Sequence, residues 1–489
     1  MPHRLTPRRT RPENDQGDII SARHTAIDAA YAYVDSGRLL DDVTAAVRYR
    51  TVSVHPAEAG EIRRYLDDHL VPRLERLGFR TRVEPNPVSP EHPFLLAVRE
   101  EEHAAFTALT YGHADVQPPQ EGQWREGLDP WELVVDGDHW YGRGTADNKG
   151  QHTINLAALE QVIAQRGGTL GYTVKAVFET GEEAGSPGMM EFCRHHAAEL
   201  SADVFLASDG PRLSTGTPTL WLGNRGMFMF RLEASLRERS YHSGNWGGVL
   251  ANAGTVLAGA IAALVDARGR LLVDALTPRD GIPDSVRELV RDLPIGGGDD
   301  DPVLSEDWGE PGLSPGERLF AWNTLEVLDV VTGQPERTVG AIPGYARATL
   351  QLRFVVGTDE DRLVEGVRAH LDRSGFGNVT VAQVGPVMSA TRLDPGDPWA
   401  QLAARSVRRT TGQDVTILPS VGASIQNRAF ADVLGLPTIW IPHSYPACAQ
   451  HAPNEHLLAS LSREAIGIMA GLFWDLGDVQ TDNPVRRNS

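Results

Sequence analysis

Gly-His113-Ala-Asp115, Gly-Arg-Gly-Thr-Ala-Asp147-Asn-Lys-Gly and Gly-Glu182-Glu183-Ala-Gly-Ser each follow a short apolar run. Ser-Asp209-Gly comes next, and His451-Ala-Pro-Asn-Glu closes the series near the C-terminus. Together they offer hard oxygen and imidazole donors from five places in the chain. A catalytic site built around two divalent cations needs that donor set.

Each stretch has its own chemistry and its own plainer alternative. His113 and Asp115 fall on the same side of an extended segment, so one can hold a metal while the other steadies it. Asp147 sits in a glycine-rich turn, where the backbone can approach an ion closely. Its carboxylate can bridge two cations about 3.5–4 Å apart, or cap the helix that follows. The adjacent carboxylates Glu182 and Glu183 repel by about 1 kcal/mol in water and by more when shielded from it. Bounded by Gly181 and Gly185, they suit a site in which one offsets metal charge and the other takes a proton from water. Asp209 could instead open a turn, and His451 could enter a helix. His443, Glu455 and His456 compete for the role given to His451. Cys448 is expected to be a buried small residue and not a ligand.

The elements that must position these residues alternate. Strands are expected at about 79–84, 95–98, 106–110, 172–178, 204–207 and 437–441. Helices are expected at 20–47, at 57–77 with Gly78 as its cap, and from Lys149 to Gln165. Ligand-type residues thus recur just past strand ends, and in α/β folds the carboxyl ends of strands line the ligand crevice. Between Asp209 and the last strand lies a block of different character. It has strands at 226–234, 345–356 and 378–383, an apolar helix at 248–266, and a helix from a Thr358 cap to about Ser374. A Gly/Asp-rich loop, Gly296–Asp301, interrupts its middle. The expected architecture is therefore a catalytic α/β domain (18–221 and 391–480), a mixed sheet flanked by helices. An inserted α+β domain (222–390) and polar tails at 1–17 and 481–489 complete it.

Composition narrows the function. The 489-residue chain is long enough for more than one core. A formal net charge of −19 argues against a nucleic-acid partner. Two cysteines, Cys193 and Cys448, exclude a disulfide scaffold and fit a reducing compartment. The N-terminal tail carries Arg8-Arg9 with no apolar segment behind it, and the longest apolar stretch is too short to span a bilayer. A cytoplasmic protein with no membrane partner is expected. Lys149 is one of only two lysines, in a chain otherwise reliant on arginine.

These motifs resemble the M20 family of metallopeptidases, in particular its carnosinase-like dipeptidase branch. The resemblance runs from about Asp41 to Leu476 and implies a zinc-peptidase-like catalytic domain with a lid or dimerisation domain inserted as an α+β sandwich. It implies two zinc ions per subunit, with cobalt or manganese as alternatives. Asp147 would bridge them, His113 and Asp209 would complete one, and Glu183 and His451 the other. Asp115 would orient His113, and Glu182 would be the general base and acid. Tyr-His242-Ser-Gly-Asn-Trp matches the segment whose histidine stabilises the oxyanion in the partner subunit's active site. Arg353 matches the arginine that grips a substrate carboxylate. Gly422-Ala-Ser424-Ile matches the loop that contacts the substrate terminus. The implied activity is amide hydrolysis in small substrates with a free carboxylate, by a homodimeric dipeptidase or carboxypeptidase. An N-acyl amino acid deacylase is the nearer alternative, and a non-catalytic metal-binding protein the more distant one.

Overall fold

The apolar runs that precede the candidate ligands are β-strands in the computed structural model, which describes residues 14–296, 302–334, 336–422 and 425–479. The strands of the first part of the chain are β1 (Arg80–Glu84), β2 (Phe94–Arg99), β3 (Thr107–His113), β4 (Val134–Asp136), β5 (His139–Tyr141), β6 (Thr173–Glu179) and β7 (Val204–Ala207). Five of them lie side by side in the order β1-β2-β6-β3-β7. β3 runs parallel to both β6 and β7, whereas β2 is antiparallel to β1 and β6. β7 is buried at all four positions, as expected of a strand covered on both faces. Because β3, β6 and β7 are parallel, the residues that follow them emerge at one edge of the sheet.

The chain divides into two compact units. The first comprises the described residues up to Thr219, Pro398–Val415 and those from Ile441 onward. Its helices Asn14–Asp35, Lys149–Gln165, Pro398–Thr411 and Ala459–Gly477 pack against one another. The expected single helix at 20–47 is two, Asn14–Asp35 and Arg38–Val47, parted by Gly37 at φ +85°. The first of them starts inside the stretch read as a tail; residues 1–13 and the tail at 481–489 lie outside the described residues. Helix Lys149–Gln165 is buried on almost every side over its first three turns, the mark of a helix inside a core. Lys149 is buried with it. Its ammonium donates to the carbonyls of Ala46 and Tyr49 at 3.2 and 2.6 Å and faces the Tyr65 ring. Those carbonyls end helix Arg38–Val47, where a cation is favoured.

The second unit comprises Leu220–Asp397 and Thr416–Trp440. Segment 416–440, expected in the catalytic part, thus groups with the inserted block, where Trp440 pairs with Trp221. The unit's main sheet contains β8 (Gly226–Ser235), β9 (Thr324–Thr332), β10 (Tyr345–Phe354) and β11 (Val379–Met388), in the order β9-β10-β8-β11, all antiparallel. Burial alternates along β8, with Phe228, Phe230, Leu232 and Ala234 inward, the period-2 signature of a sheet covered on one face. Helices Ala253–Leu264 and Leu363–Arg373 supply the cover. The first begins five residues later than expected, because Asn252 caps it by accepting from the main-chain N–H of Gly254 and Thr255. The second begins after a short turn at Glu360–Arg362, with no cap from Thr358. Most of the Gly/Asp-rich loop, at 297–301, lies outside the described residues.

Arg23 fastens the helical layer of the first unit. It is fully buried and pairs with both oxygens of Asp475, at 2.8 and 2.9 Å, while also donating to Thr410 and to the Ser406 carbonyl. Removing one partner of such a pair strands a buried charge, at roughly 3–5 kcal/mol. Asp475→Ala is expected to lower unfolding stability by about that amount, read from the urea midpoint at unchanged m-value.

Candidate metal centre

His113 is the last residue of β3, in register with Glu179 at the end of β6. Its Nδ1 lies 3.0 Å from the main-chain carbonyl of Asp115 and 3.5 Å from the Asp115 carboxylate. Its Nε2 lies 2.9 Å from Asp147 Oδ1 and 3.8 Å from Asp209 Oδ2. Both ring nitrogens therefore face acceptors, so a proton or a metal ion has to sit on the Nε2 side. Burial opposes charge on His113, yet the bonds to Asp115 and Asp147 hold its pKa well above the ordinary histidine value.

A second group forms on the other oxygen of the same aspartate. His451 Nε2 lies 3.1 Å from Asp147 Oδ2 and 3.2 Å from Glu183 Oε2. Thus His113, Asp147 and Asp209 make one candidate ligand set, and Asp147, Glu183 and His451 make another. Ligand atoms about 2.0–2.2 Å from one zinc ion can lie no more than about 4.4 Å apart, and all four quoted separations fall within that span. Burial and the charge of Asp147 push Asp209 up to about 6. Burial, reinforced by neighbouring carboxylates, raises Glu182 and Glu183 well above the usual carboxylate range. For Asp147 burial acts in the same sense, but the two imidazoles outweigh it and its pKa falls. Four converging carboxylates, Asp147, Glu182, Glu183 and Asp209, call for about four positive charges, which two divalent cations supply. The donor set fits a pair of metal ions.

The local chain shows how the ligands are aimed. The Asp147–Asn148 peptide is cis, and the Asn148 amide donates to the Ser208 carbonyl beside Asp209 at 2.8 Å. A Cβ on Gly150 would sit 1.9 Å from the Thr145 carbonyl oxygen, so the turn holding Asp147 closes only with glycine there. Asp115 reaches further than expected. Its two carboxylate oxygens accept from the main-chain N–H of Glu182 and Glu183, at 3.2 and 3.0 Å. One aspartate thereby sets both the His113 ring and the turn bearing the paired glutamates. The Gln117 amide donates to Glu183 at 2.8 Å.

The competitors fall elsewhere. His443 is buried against Asn155 and Ser208, at 2.8 and 2.9 Å, where burial pushes it down to about 3. His456 bonds Tyr445 and the Asn454 carbonyl. Cys448 is a free, buried thiol in neither ligand group. Glu455 is not in either group; its carboxylate accepts from the main chain of the Asp147 turn. Sequence reasoning missed that role. His242, Arg353 and Gly422 belong to the second unit. His242 is exposed at the end of a short strand pairing with Ala341, and the Arg353 Nε donates to Gln351 at 3.1 Å. Ser424 lies outside the described residues.

An α/β sheet that gathers imidazoles and carboxylates at the ends of its parallel strands defines a metallohydrolase. The chain belongs to peptidase family M20/M25/M40, whose family model matches residues 109–475. It is 28% identical over 359 residues to a cysteinylglycine-S-conjugate dipeptidase of Corynebacterium striatum, covering 72% of this chain and 76% of that protein. It is 24% identical over 424 residues to a Beta-Ala-His dipeptidase of Rattus norvegicus, covering 81% and 82%. Its fold is that of human carnosine dipeptidase 1, with a TM-score of 0.74 at 21% identity, over 93% of this chain and 99% of that one. Among the described residues, no helix is long and apolar enough to cross a membrane.

Asp115→Asn would turn an amide N–H₂ toward main-chain N–H groups that now meet a carboxylate. We expect zinc affinity to fall roughly 10–100-fold, measured by calorimetric titration of the metal-free protein.

Proposed function

We propose that this protein is a dipeptidase whose dinuclear centre, holding zinc or alternatively cobalt or manganese, hydrolyses the peptide bond of small substrates with a free carboxylate. The observation that carries this reading is Asp147, whose two oxygens face two different imidazole-containing ligand groups. The dipeptidase activities named for the relatives support the substrate class. His113, Asp147, Asp209, Glu183 and His451 would hold the cations, and Asp115 keeps His113 and the glutamate turn in place. When bound, the cations polarise the scissile carbonyl and make the attacking water more acidic. Glu182 takes the proton from that water and delivers it to the leaving amine nitrogen. Burial raises its affinity for the proton it takes.

His242 is proposed to act across a homodimer, donating to the developing oxyanion in the partner subunit's site. Arg353 would hold the substrate carboxylate by a forked contact, with Gly422 and Ser424 at the substrate terminus. The outer strand of the second unit's sheet supports association, since β9 leaves Val327, Leu328 and Val330 exposed along an edge. Two free, buried cysteines support a cytoplasmic setting.

Metal-loaded protein is expected to hydrolyse dipeptides and to leave N-acetyl and N-succinyl amino acids intact; the reverse preference would assign it as a deacylase. Glu182→Gln should retain two metal equivalents while kcat on a dipeptide falls roughly 10²–10⁴-fold. Full turnover in that variant would remove Glu182 from the proton-transfer step. Mixing inactive Glu182→Gln dimers with inactive His242→Ala dimers should regenerate activity through hybrids carrying one intact site. No recovery under proven subunit exchange would confine each site to one chain.

A further inference from the structure

The loop that carries His451 is an unusual support for a ligand. Within six residues it holds three non-glycine residues at positive φ, Ala449 at 58°, His451 at 59° and Asn454 at 66°. Side-chain-bearing residues seldom adopt this conformation, and it persists where the surroundings over-determine it. The surroundings here are specific. The Gln120 amide donates to the His451 carbonyl at 2.8 Å, and Asn454 Oδ1 accepts from the main-chain N–H of Arg125 at 2.7 Å. The strongest tie is Glu455, which is fully buried. One of its oxygens accepts from the main-chain N–H of Gly144, Ala146 and Asp147, at 3.0, 2.9 and 3.0 Å. Its other oxygen pairs with the Arg143 guanidinium at 2.7 Å. Its own carbonyl accepts from Gly142 at 3.0 Å.

A carboxylate so placed does two things. It satisfies three donors of the turn that presents Asp147, and it anchors the chain four residues beyond His451 to that same turn. Asp147 and His451 supply two of the three members of the second ligand group, and both depend on this contact. We propose that Glu455 is a positioning residue of the metal centre, a clamp that holds the His451 loop against the Asp147 turn and so maintains the Asp147, Glu183 and His451 ligand set. This rests on the reading of those residues as metal ligands. Glu455 is in neither ligand group; it acts through the geometry of Asp147 and His451. Arg143 completes the clamp. It meets the charge of Glu455 inside the protein and also donates to the Pro118 carbonyl at 3.0 Å, in the segment that contains Gln117 and Gln120.

The test is zinc affinity by competition with a chromogenic chelator, for the full chain and for Glu455→Gln, with thermal unfolding of both metal-free proteins alongside. Glutamine keeps an acceptor for the three N–H groups but turns an N–H₂ toward Arg143 and removes the charge. The unsubstituted chain is expected to bind two zinc ions. In Glu455→Gln, one of the two should bind about 10–100-fold more weakly, and kcat lost at limiting zinc should return at saturating zinc. A purely structural role would lower the melting temperature of the metal-free protein and leave both affinities unchanged, and that result overturns the proposal. If the glutamine variant does not fold, Glu455→Asp keeps the charge but is one methylene too short to span Arg143 and the turn, and the same weakening is expected. Fewer than two zinc ions on the unsubstituted chain would overturn the dinuclear reading together with this proposal.

Discussion

Like charges brought together out of water govern this structure. Asp147, Glu182, Glu183 and Asp209 converge where burial is the largest influence raising the proton affinity of three of them. At an effective dielectric constant near 20, two carboxylates about 4 Å apart repel by about 4 kcal/mol. The imidazoles of His113 and His451 relieve it at Asp147, and a pair of divalent cations would offset the rest. The remaining features of the first unit hold the ligands in position against it. Parallel strands deliver His113, the paired glutamates and Asp209 to one sheet edge. Glycine closes the turn at Asp147, and Asp115 ties the first histidine to the glutamates.

The two candidate ligand groups were legible in the sequence because residues able to hold a metal are distinctive in type. Histidines and acids placed after apolar runs, five times over, are costly to bury unless a cation draws them together. The parallel arrangement of β3, β6 and β7 brings His113, the paired glutamates and Asp209 together as the strand-end rule requires, whereas Asp147 and His451 arrive from loops. What was not legible depends on contacts whose recognised partner is the main chain. Glu455 accepts from peptide N–H groups, and every residue except proline carries one, so nothing in the sequence of the Asp147 turn marks it as the partner. The same holds for the second role of Asp115. Element boundaries failed for local reasons. Ser36-Gly37 carried the signal that parts the first two helices, and Asn252 carried the cap that shortens the helix expected from Gly248. The grouping of Thr416–Trp440 with the second unit was also unreadable, since it depends on which short strands pair and not on composition.

The two units use the α/β repertoire differently. The first is built on inner strands buried on both faces, β7 above all, and a helix with almost no exposed side over its first three turns, which suits a rigid frame. The second has a sheet with one covered face, and one of its edges carries exposed valines and a leucine. His242, Arg353 and Gly422 all belong to this unit, so the residues proposed for substrate recognition and those proposed for metal binding belong to different compact units.

The first unit is discontinuous, its last portion arriving after the whole of the second. Arg143 is made more than three hundred residues before Glu455, the acid that neutralises it. During synthesis on the ribosome the early strands can form, but Arg143 lacks its carboxylate, and Asp147 and Glu183 lack His451, until residue 455 has left the exit tunnel. The Asp147, Glu183 and His451 group is therefore completed late in biogenesis, long after the His113, Asp147 and Asp209 group.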